Sequence, residues 1–395
     1  MIMSILGNGL FAHFAGTVLF GLLLGAAPAL WAKECQCANC GEADAAGTKA
    51  FSIASLMGDD APFTIGGWTQ LGYHGHSTGV FNTHPGDINL HQQWLYAGRV
   101  ADGRCGLSFG FWVDLLYGTD AQNTQAFGEP PPQRHWDNEW DMGIYGWALP
   151  QAFVEVAYGD WSVKLGHFYT LIGYEAVPAL TNFFYSHSFT FNFNEPFTHS
   201  GVLGAYRASN GVTLYGGWTA GWDTGFDRFS ATGHSKGSSF LGGIKVTLGT
   251  SMVATYVLTA GNLGFPQGKG YSHSLVVHAT PAKNWAYVFQ YDLVEVNANP
   301  LGPDTNHRSA FNNYLFYTIT DTLKAGVRGE WFRSGDHSLY EITAGVNLRP
   351  IENLSIRPEV RWQFGGSSAD ERFFASQFGV STGTTIFGID AVLMY

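Results

Sequence analysis

The stretch LSIRPEVRWQF, residues 354–364, shows most clearly how this chain is built. Every second side chain is apolar, which is the pattern of a β-strand because successive side chains point to opposite faces of a sheet. The polar face carries both signs of charge and the opposite face is aliphatic and aromatic, as in a strand between lipid and a watery interior. Pro358 cannot donate to a strand ladder, so we expect a local bulge there. The apolar residues are Leu354, Ile356, Val360, Trp362 and Phe364, and the polar ones are Ser355, Arg357, Glu359, Arg361 and Gln363.

The same alternation recurs from about residue 60 onward in segments of roughly ten residues, including 107–115, 285–293, 323–331 and 340–348. Short turns and longer loops alternate between these segments, which gives about sixteen strands with both ends on one side. The prediction is an all-β fold, a single transmembrane antiparallel β-barrel. Short turns are predicted at 101–103, 159–160, 209–211, 249–250, 281–283, 320–321 and 350–353, and longer loops near 77–88, 117–148, 169–198, 224–236, 261–269, 296–307, 335–338 and 365–384.

Composition supports this fold class. Charged residues make up 13% of the chain and aromatic residues 15%, and there are 51 glycines, whereas a soluble domain carries about 25% charged residues. Residues 51–395 contain no run near the ~20 apolar residues that a spanning helix needs. The chain ends in an alternating segment, 387–395, that finishes on Tyr395, as expected for a strand that closes a barrel.

The N-terminal region is predicted to be separate from the barrel. Residues 10–30 are mostly apolar and are followed by small residues suited to signal cleavage, although a retained anchor is the alternative because no Lys or Arg precedes the run. We therefore expect a signal peptide at 1–32, a cysteine-containing periplasmic segment at 33–60 and an outer-membrane β-barrel at 61–395. Cys35, Cys37, Cys40 and Cys105 are candidates for a disulfide in an oxidising compartment. A metal site in the first three would lack a fourth ligand.

The segment 166–201, GHFYTLIGYEAVPALTNFFYSHSFTFNFNEPFTHSG, is too long and too aromatic for an ordinary connection. It is the third long loop, between the fifth and sixth predicted strands. Residues 166–175, 182–186, 195–201 and 357–361 resemble the OmpL-like family of outer-membrane β-barrel porins, and the similarity covers residue 60 to the end. The resemblance implies a channel, and general porins fold the loop at this position into the lumen as a constriction.

A constriction sorts solutes by charge when opposed charges face each other across a gap. Glu175 and Glu195 from the loop are expected to face cations on the wall. The alternative is that such residues simply solvate the wall and pair across strands. The candidate constriction residues are Glu175, Glu195, Lys164, Lys324, Arg328, Arg357, Glu359 and Arg361, with Glu330 and Glu341 also on the wall.

The predicted function is a porin in the outer membrane of a bacterium with a two-membrane envelope, a passive diffusion channel for small hydrophilic solutes that are sieved by size and charge. We expect no enzymatic activity, no cofactor, no metal and no nucleic acid. The expected partners are outer-membrane lipid and the solutes, with a homotrimer left open. His74 and His76 share a strand face but lack a third metal ligand.

Two other functions remain open from the sequence. A surface adhesion or carbohydrate-binding barrel would use the tryptophans of the second long loop, Trp136, Trp140 and Trp147. An outer-membrane hydrolase would use Ser186 and His187, but adjacent residues of an extended chain point to opposite sides.

Overall fold

The computed structural model describes residues 62–126, 137, 141–226, 237–297 and 306–395. Within them, sixteen antiparallel strands form a closed barrel in which each strand pairs with its neighbours in the chain and β1 pairs with β16. The predicted fold class is confirmed. The strands are β1 (Thr64–His74), β2 (Ile88–Arg99), β3 (Ser108–Gly118), β4 (Gly146–Tyr158), β5 (Trp161–Tyr169), β6 (Thr198–Ser209), β7 (Val212–Thr219), β8 (Ser238–Leu248), β9 (Met252–Asn262), β10 (Lys269–Ala282), β11 (Trp285–Val296), β12 (His307–Thr320), β13 (Leu323–Ser334), β14 (His337–Ile351), β15 (Leu354–Gly365) and β16 (Thr384–Met394).

Some predictions fall on residues that the structure does not describe. The expected signal peptide 1–32 and the cysteine segment 33–60 lie outside the described residues, so their boundaries stay predictions. Cys105 is described and lies exposed in the short turn between β2 and β3. Its predicted disulfide partners, together with two of the loop tryptophans, are outside the described part: Cys35, Cys37, Cys40, Trp136 and Trp140.

The alternation in β15 sorts its side chains as predicted. Val360 and Trp362 are nearly half exposed on the outer surface, whereas Arg361 is fully buried on the lumen side. The bulge predicted at Pro358 is wrong. Pro358 pairs directly with Ile389 of β16, and the register with β14 is the same on both sides of the proline. Because a closed barrel holds β15 between two partner strands, one missing N–H donor weakens the ladder without shifting it.

The cost of placing an arginine on the outer surface of the barrel should depend on how deep that position lies in the bilayer. Val327 lies in the middle of β13 and is 47% exposed. V327R is expected to lower the free energy of unfolding by about 2–4 kcal/mol, because it puts a charge at the lipid midplane. L348R on β14 is the matched control, since Leu348 pairs with Leu323 beside a short turn and should cost about 0–1 kcal/mol there. Urea unfolding in lipid vesicles measures both, and equal losses would contradict this membrane placement.

In the parts of the long loops that the structure describes there are three α-helices: α1 (Ala121–Thr124), α2 (Phe189–Asn194) and α3 (Ser368–Phe378). The Ser367 side chain accepts the Asp370 N–H at the start of α3, and Gly379, at φ 65°, ends it in the left-handed conformation. Phe374 and Phe378 of α3 pack in one buried cluster with Phe189 of α2. Apolar packing therefore joins the β15–β16 loop to the β5–β6 loop. None of the helices described is long and apolar enough to cross a membrane.

Candidate functional site

The candidate site is the β5–β6 loop, residues 170–197, here called loop 3, together with the lumen wall that it contacts. The Thr170 N–H donates to the Phe197 carbonyl over 3.1 Å, so the two ends of loop 3 stay side by side. The Asp223 carboxylate, from the β7–β8 loop, accepts the N–H groups of Phe197 and Thr198 at 2.7 and 3.0 Å. Burial raises the pKa of Asp223 to about 6. Both ends of loop 3 are thus anchored where it leaves the barrel wall.

Between these ends, loop 3 crosses the lumen. The Tyr174 N–H donates to the Gln290 side chain of β11 over 3.2 Å. A few residues later, the Ala179 N–H donates to Gln92 of β2 over 3.0 Å, and Gln92 donates back to the Val177 carbonyl over 2.8 Å. Because β2 and β11 lie far apart around the ring of strands, residues 174–179 bridge opposite walls. The inward fold of the third long loop agrees with the prediction.

Loop 3 forms an ion pair with Arg328 of β13. Arg328 is fully buried and donates to the Glu175 carboxylate over 2.9 Å and to the Ser186 carbonyl over 2.7 Å. It also pairs with Glu341 of the neighbouring strand β14. Burial opposes ionisation of Glu175, but Arg328 and then His187 outweigh it and lower the pKa of Glu175 to about 2. The loop carboxylate is therefore ionised and held by a wall cation.

Two further wall arginines bind the backbone of loop 3. Arg357 of β15 is ion-paired with Asp390 of β16, which orients its guanidinium toward the loop. Five N–H donors in a fixed plane allow one guanidinium to reach several carbonyls at once. Nη1 of Arg357 shares its two N–H groups among the carbonyls of Ala179, Asn182 and Phe184, at 2.8, 2.8 and 3.2 Å. Nη1 of Arg361 donates to the carbonyl of His187 at 2.6 Å.

Wall carboxylates bind the N–H groups of the same segment. Glu359 accepts from the Tyr185 and Ser186 N–H groups at 2.9 and 3.1 Å. Glu330 accepts from the N–H groups of Phe189 and Thr190 at 2.7 and 2.6 Å, where α2 begins and its N–H groups have no helical partners. Wall cations meet loop carbonyls and wall anions meet loop N–H groups, so these charges hold the loop's peptide groups in place.

Glu195 lies apart from this cluster. It accepts from Gln290 at 2.5 Å beside the Asp292 carboxyl, and burial together with Asp292 raises the pKa of Glu195 well above its usual value. Gly173, at φ 87°, makes room for it, because a β-carbon there would lie 1.9 Å from its carboxyl oxygen. Glu195 therefore faces a carboxyl, where a cation was expected.

The structure brings together five of the predicted constriction residues, Glu175, Arg328, Arg357, Glu359 and Arg361, along with Glu330 and Glu341. It does not bring in the two lysines. Lys164 lies over the Phe153 ring, 4.6 Å from its centre, on the opposite side of the barrel. Lys324 lies exposed at the short-turn end of β13.

Sequence reasoning missed a buried network on β2. His91 lies 3.1 Å from the Asp120 carboxylate through Nδ1 and 2.6 Å from the Tyr185 hydroxyl through Nε2. These residues are too far apart in the sequence for any local pattern to join them. Asp390, which orients Arg357, was missed as a partner for the same reason.

The two residues considered for a hydrolase, Ser186 and His187, have different hydrogen-bond partners. The Ser186 hydroxyl accepts from Arg328 at 3.2 Å, and His187 Nδ1 lies 3.1 Å from Glu175. Neither contact joins the serine to the histidine. His74 Nδ1 contacts the backbone carbonyl of His76 at 3.1 Å. Among the described residues, no three His, Cys, Asp or Glu side chains are grouped to hold a metal ion.

Comparison with known proteins agrees with this architecture. A family model described as "Putative beta-barrel porin-2, OmpL-like" matches residues 62–395. A search of curated proteins finds no match.

Solved structures with the same fold include an anion-selective porin from Comamonas acidovorans, with a TM-score of 0.54 at 11% identity over 84% of this chain and 99% of that one. OmpF of Salmonella typhi in complex with daunomycin gives 0.58 at 10% identity over 84% and 97%. The trimer form of OmpT from Vibrio cholerae gives 0.51 at 13% identity over 84% and 99%. At these identities the likeness is one of fold.

Proposed function

We propose that this chain, which belongs to the OmpL-like β-barrel porin family, is a passive diffusion channel. In this channel, loop 3 limits the size and charge of the small hydrophilic solutes that pass. The family and the fold together point to a bacterial outer membrane. Sixteen-stranded barrels of this kind are wide enough for an aqueous lumen when nothing fills them. What lies in the lumen therefore controls transport.

The observation that carries the proposal is the position of loop 3. It bridges opposite walls, and the wall arginines that bind it, Arg328, Arg357 and Arg361, are 0–3% exposed. A solute that crosses the barrel has to pass this packed layer. We therefore expect small conductance steps, well below those of a barrel with an empty lumen.

In this proposal the ionic cluster around Arg328 acts through loop 3. Glu175, Arg328, Arg357, Glu359 and Arg361 set the gap by holding the loop, and any charge they leave unpaired acts on solutes at its edge. Transport needs no bond-making chemistry, so the proposed channel is not an enzyme. Lipid surrounds the outer apolar rows, and a homotrimer is the proposed assembly, in line with the trimer form of the similar OmpT structure.

Conductance across a planar bilayer tests the channel. Purified, refolded protein is expected to give discrete steps, and its reversal potential in a salt gradient reports which charge passes more easily. Heat-modifiable gel mobility serves as the folding control, because a closed barrel resists unfolding in detergent until it is heated. A folded barrel that gives no steps at any protein concentration would contradict a channel function.

A further inference from the structure

A cavity of about 680 Å³ lies below loop 3, at the end of the barrel where the strands are joined by short turns. Its wall includes the turns at 250–251 and 283–284 and the turn at 321–322, and its inner end is formed by Tyr174 and residues 180–183 of loop 3. We call this cavity the vestibule. Its volume is within the range of about 300–1,000 Å³ that is typical of sites for single small organic molecules.

The charged side chains lining the vestibule are mostly positive. Of its described lining residues, Lys283, Lys324 and Arg349 are basic and Asp321 alone is acidic. All three cations are exposed in the described structure. The ion pairs among the described residues use other cations: Arg104, Arg207, Arg328, Arg333, Arg357, Arg361 and histidines. Among the described residues, no ion pair neutralises the positive charge of the vestibule.

The inner end of the vestibule is aromatic. Phe183 of loop 3 packs on Phe316 of β12 with ring centres 4.7 Å apart, and Tyr174 lies beside them. All three rings are partly exposed. Gly326 allows this packing, because a β-carbon there would lie 2.6 Å from the Phe183 ring and 2.8 Å from the Phe316 ring. These three rings line the inner end of the vestibule.

We propose that the vestibule is a binding site for small organic anions with an apolar or aromatic body, such as aromatic carboxylates. The carboxylate would lie among Lys283, Lys324 and Arg349, and the apolar body would contact Phe183, Phe316 and Tyr174. Cations near the short turns and aromatic rings at the inner end of one cavity favour a ligand with both features over a simple inorganic anion or a neutral aromatic molecule. Binding at this site stands independently, whereas its role as a station for transported solutes rests on the channel proposed above.

Binding is measured by isothermal titration calorimetry on the full chain in nonionic detergent, with empty micelles as the blank. The probes are 2-naphthoate, the neutral analogue 2-naphthalenemethanol, and acetate. We expect 2-naphthoate to bind about tenfold or more tightly than either of the others. The triple variant K283Q/K324Q/R349Q should lose most of that preference, and F316L should weaken 2-naphthoate while leaving acetate unchanged.

K245Q is the matched control. Lys245 is also an exposed lysine near the short-turn end, on β8, but it does not line the vestibule. It should bind 2-naphthoate like the unmodified chain. Equal affinity for 2-naphthoate and its neutral analogue, or a triple variant that binds as the original does, would overturn the site. Conductance steps without binding of 2-naphthoate would contradict the binding site but not the channel. Binding of 2-naphthoate without conductance would contradict the channel but not the binding site.

Discussion

The variant R328M is expected to lose about 3–5 kcal/mol of unfolding free energy, because it removes the guanidinium that two buried carboxylates share. Arg328 is fully buried between Glu175 of loop 3 and Glu341 of β14. Methionine fills much of the same volume but supplies no donor, so the Ser186 carbonyl also loses its bond. Unfolding in urea, followed by tryptophan fluorescence in lipid vesicles, measures the loss.

Two further variants make this result specific. R333Q changes another arginine of β13, whose partner Asp336 is almost fully exposed, so it should shift stability by less than about 1 kcal/mol. Adding E175Q and E341Q to R328M should restore a large part of the loss, since the buried charges disappear together. If R328M lost no more unfolding free energy than R333Q, the ionic cluster around Arg328 would not be what holds loop 3.

The second large effect concerns transport. Replacing residues 171–196 with a four-residue Gly-Ser turn should raise single-channel conductance on the order of threefold or more, because the lumen of a sixteen-stranded barrel is aqueous when it is not filled. The barrel should still fold, since its ladders do not include loop 3 and the last rung, from the Thr170 N–H to the Phe197 carbonyl, is kept. Planar-bilayer recording with heat-modifiable gel mobility measures both properties.

Conductance of R333Q is the control for this experiment, because that change leaves every described anchor of loop 3 in place. It should match the unmodified chain. R328M should fall between the two, since it releases one anchor while the Arg357 and Arg361 bonds to loop 3 remain. A loop replacement that folds and conducts as the original does would mean that loop 3 is not the barrier.

Local alternation of residues was enough to predict the barrel. In a strand, each side chain faces either lipid or lumen, so residues 354–364 already reveal their two faces, and the order of short and long connections reveals the strand count. The place of loop 3 after β5 followed from that count. All of these properties depend on neighbours in the sequence. The bulge predicted at Pro358 was wrong because the effect of a proline on a strand depends on the two strands that pair with it.

The partners of the charged residues depend on tertiary structure. The alternation puts Arg328, Arg357 and Arg361 on the lumen face, yet they contact a loop about 140–180 residues away in the chain. The path of loop 3 across the lumen and the stagger of the strands decide which side chains meet. As a result, charges that were expected to face each other across a gap bind the loop backbone instead, Glu195 lies against a carboxyl, and Lys324 lies in the vestibule. A residue pattern shows which face a charge is on, but its partner is chosen by how distant segments pack.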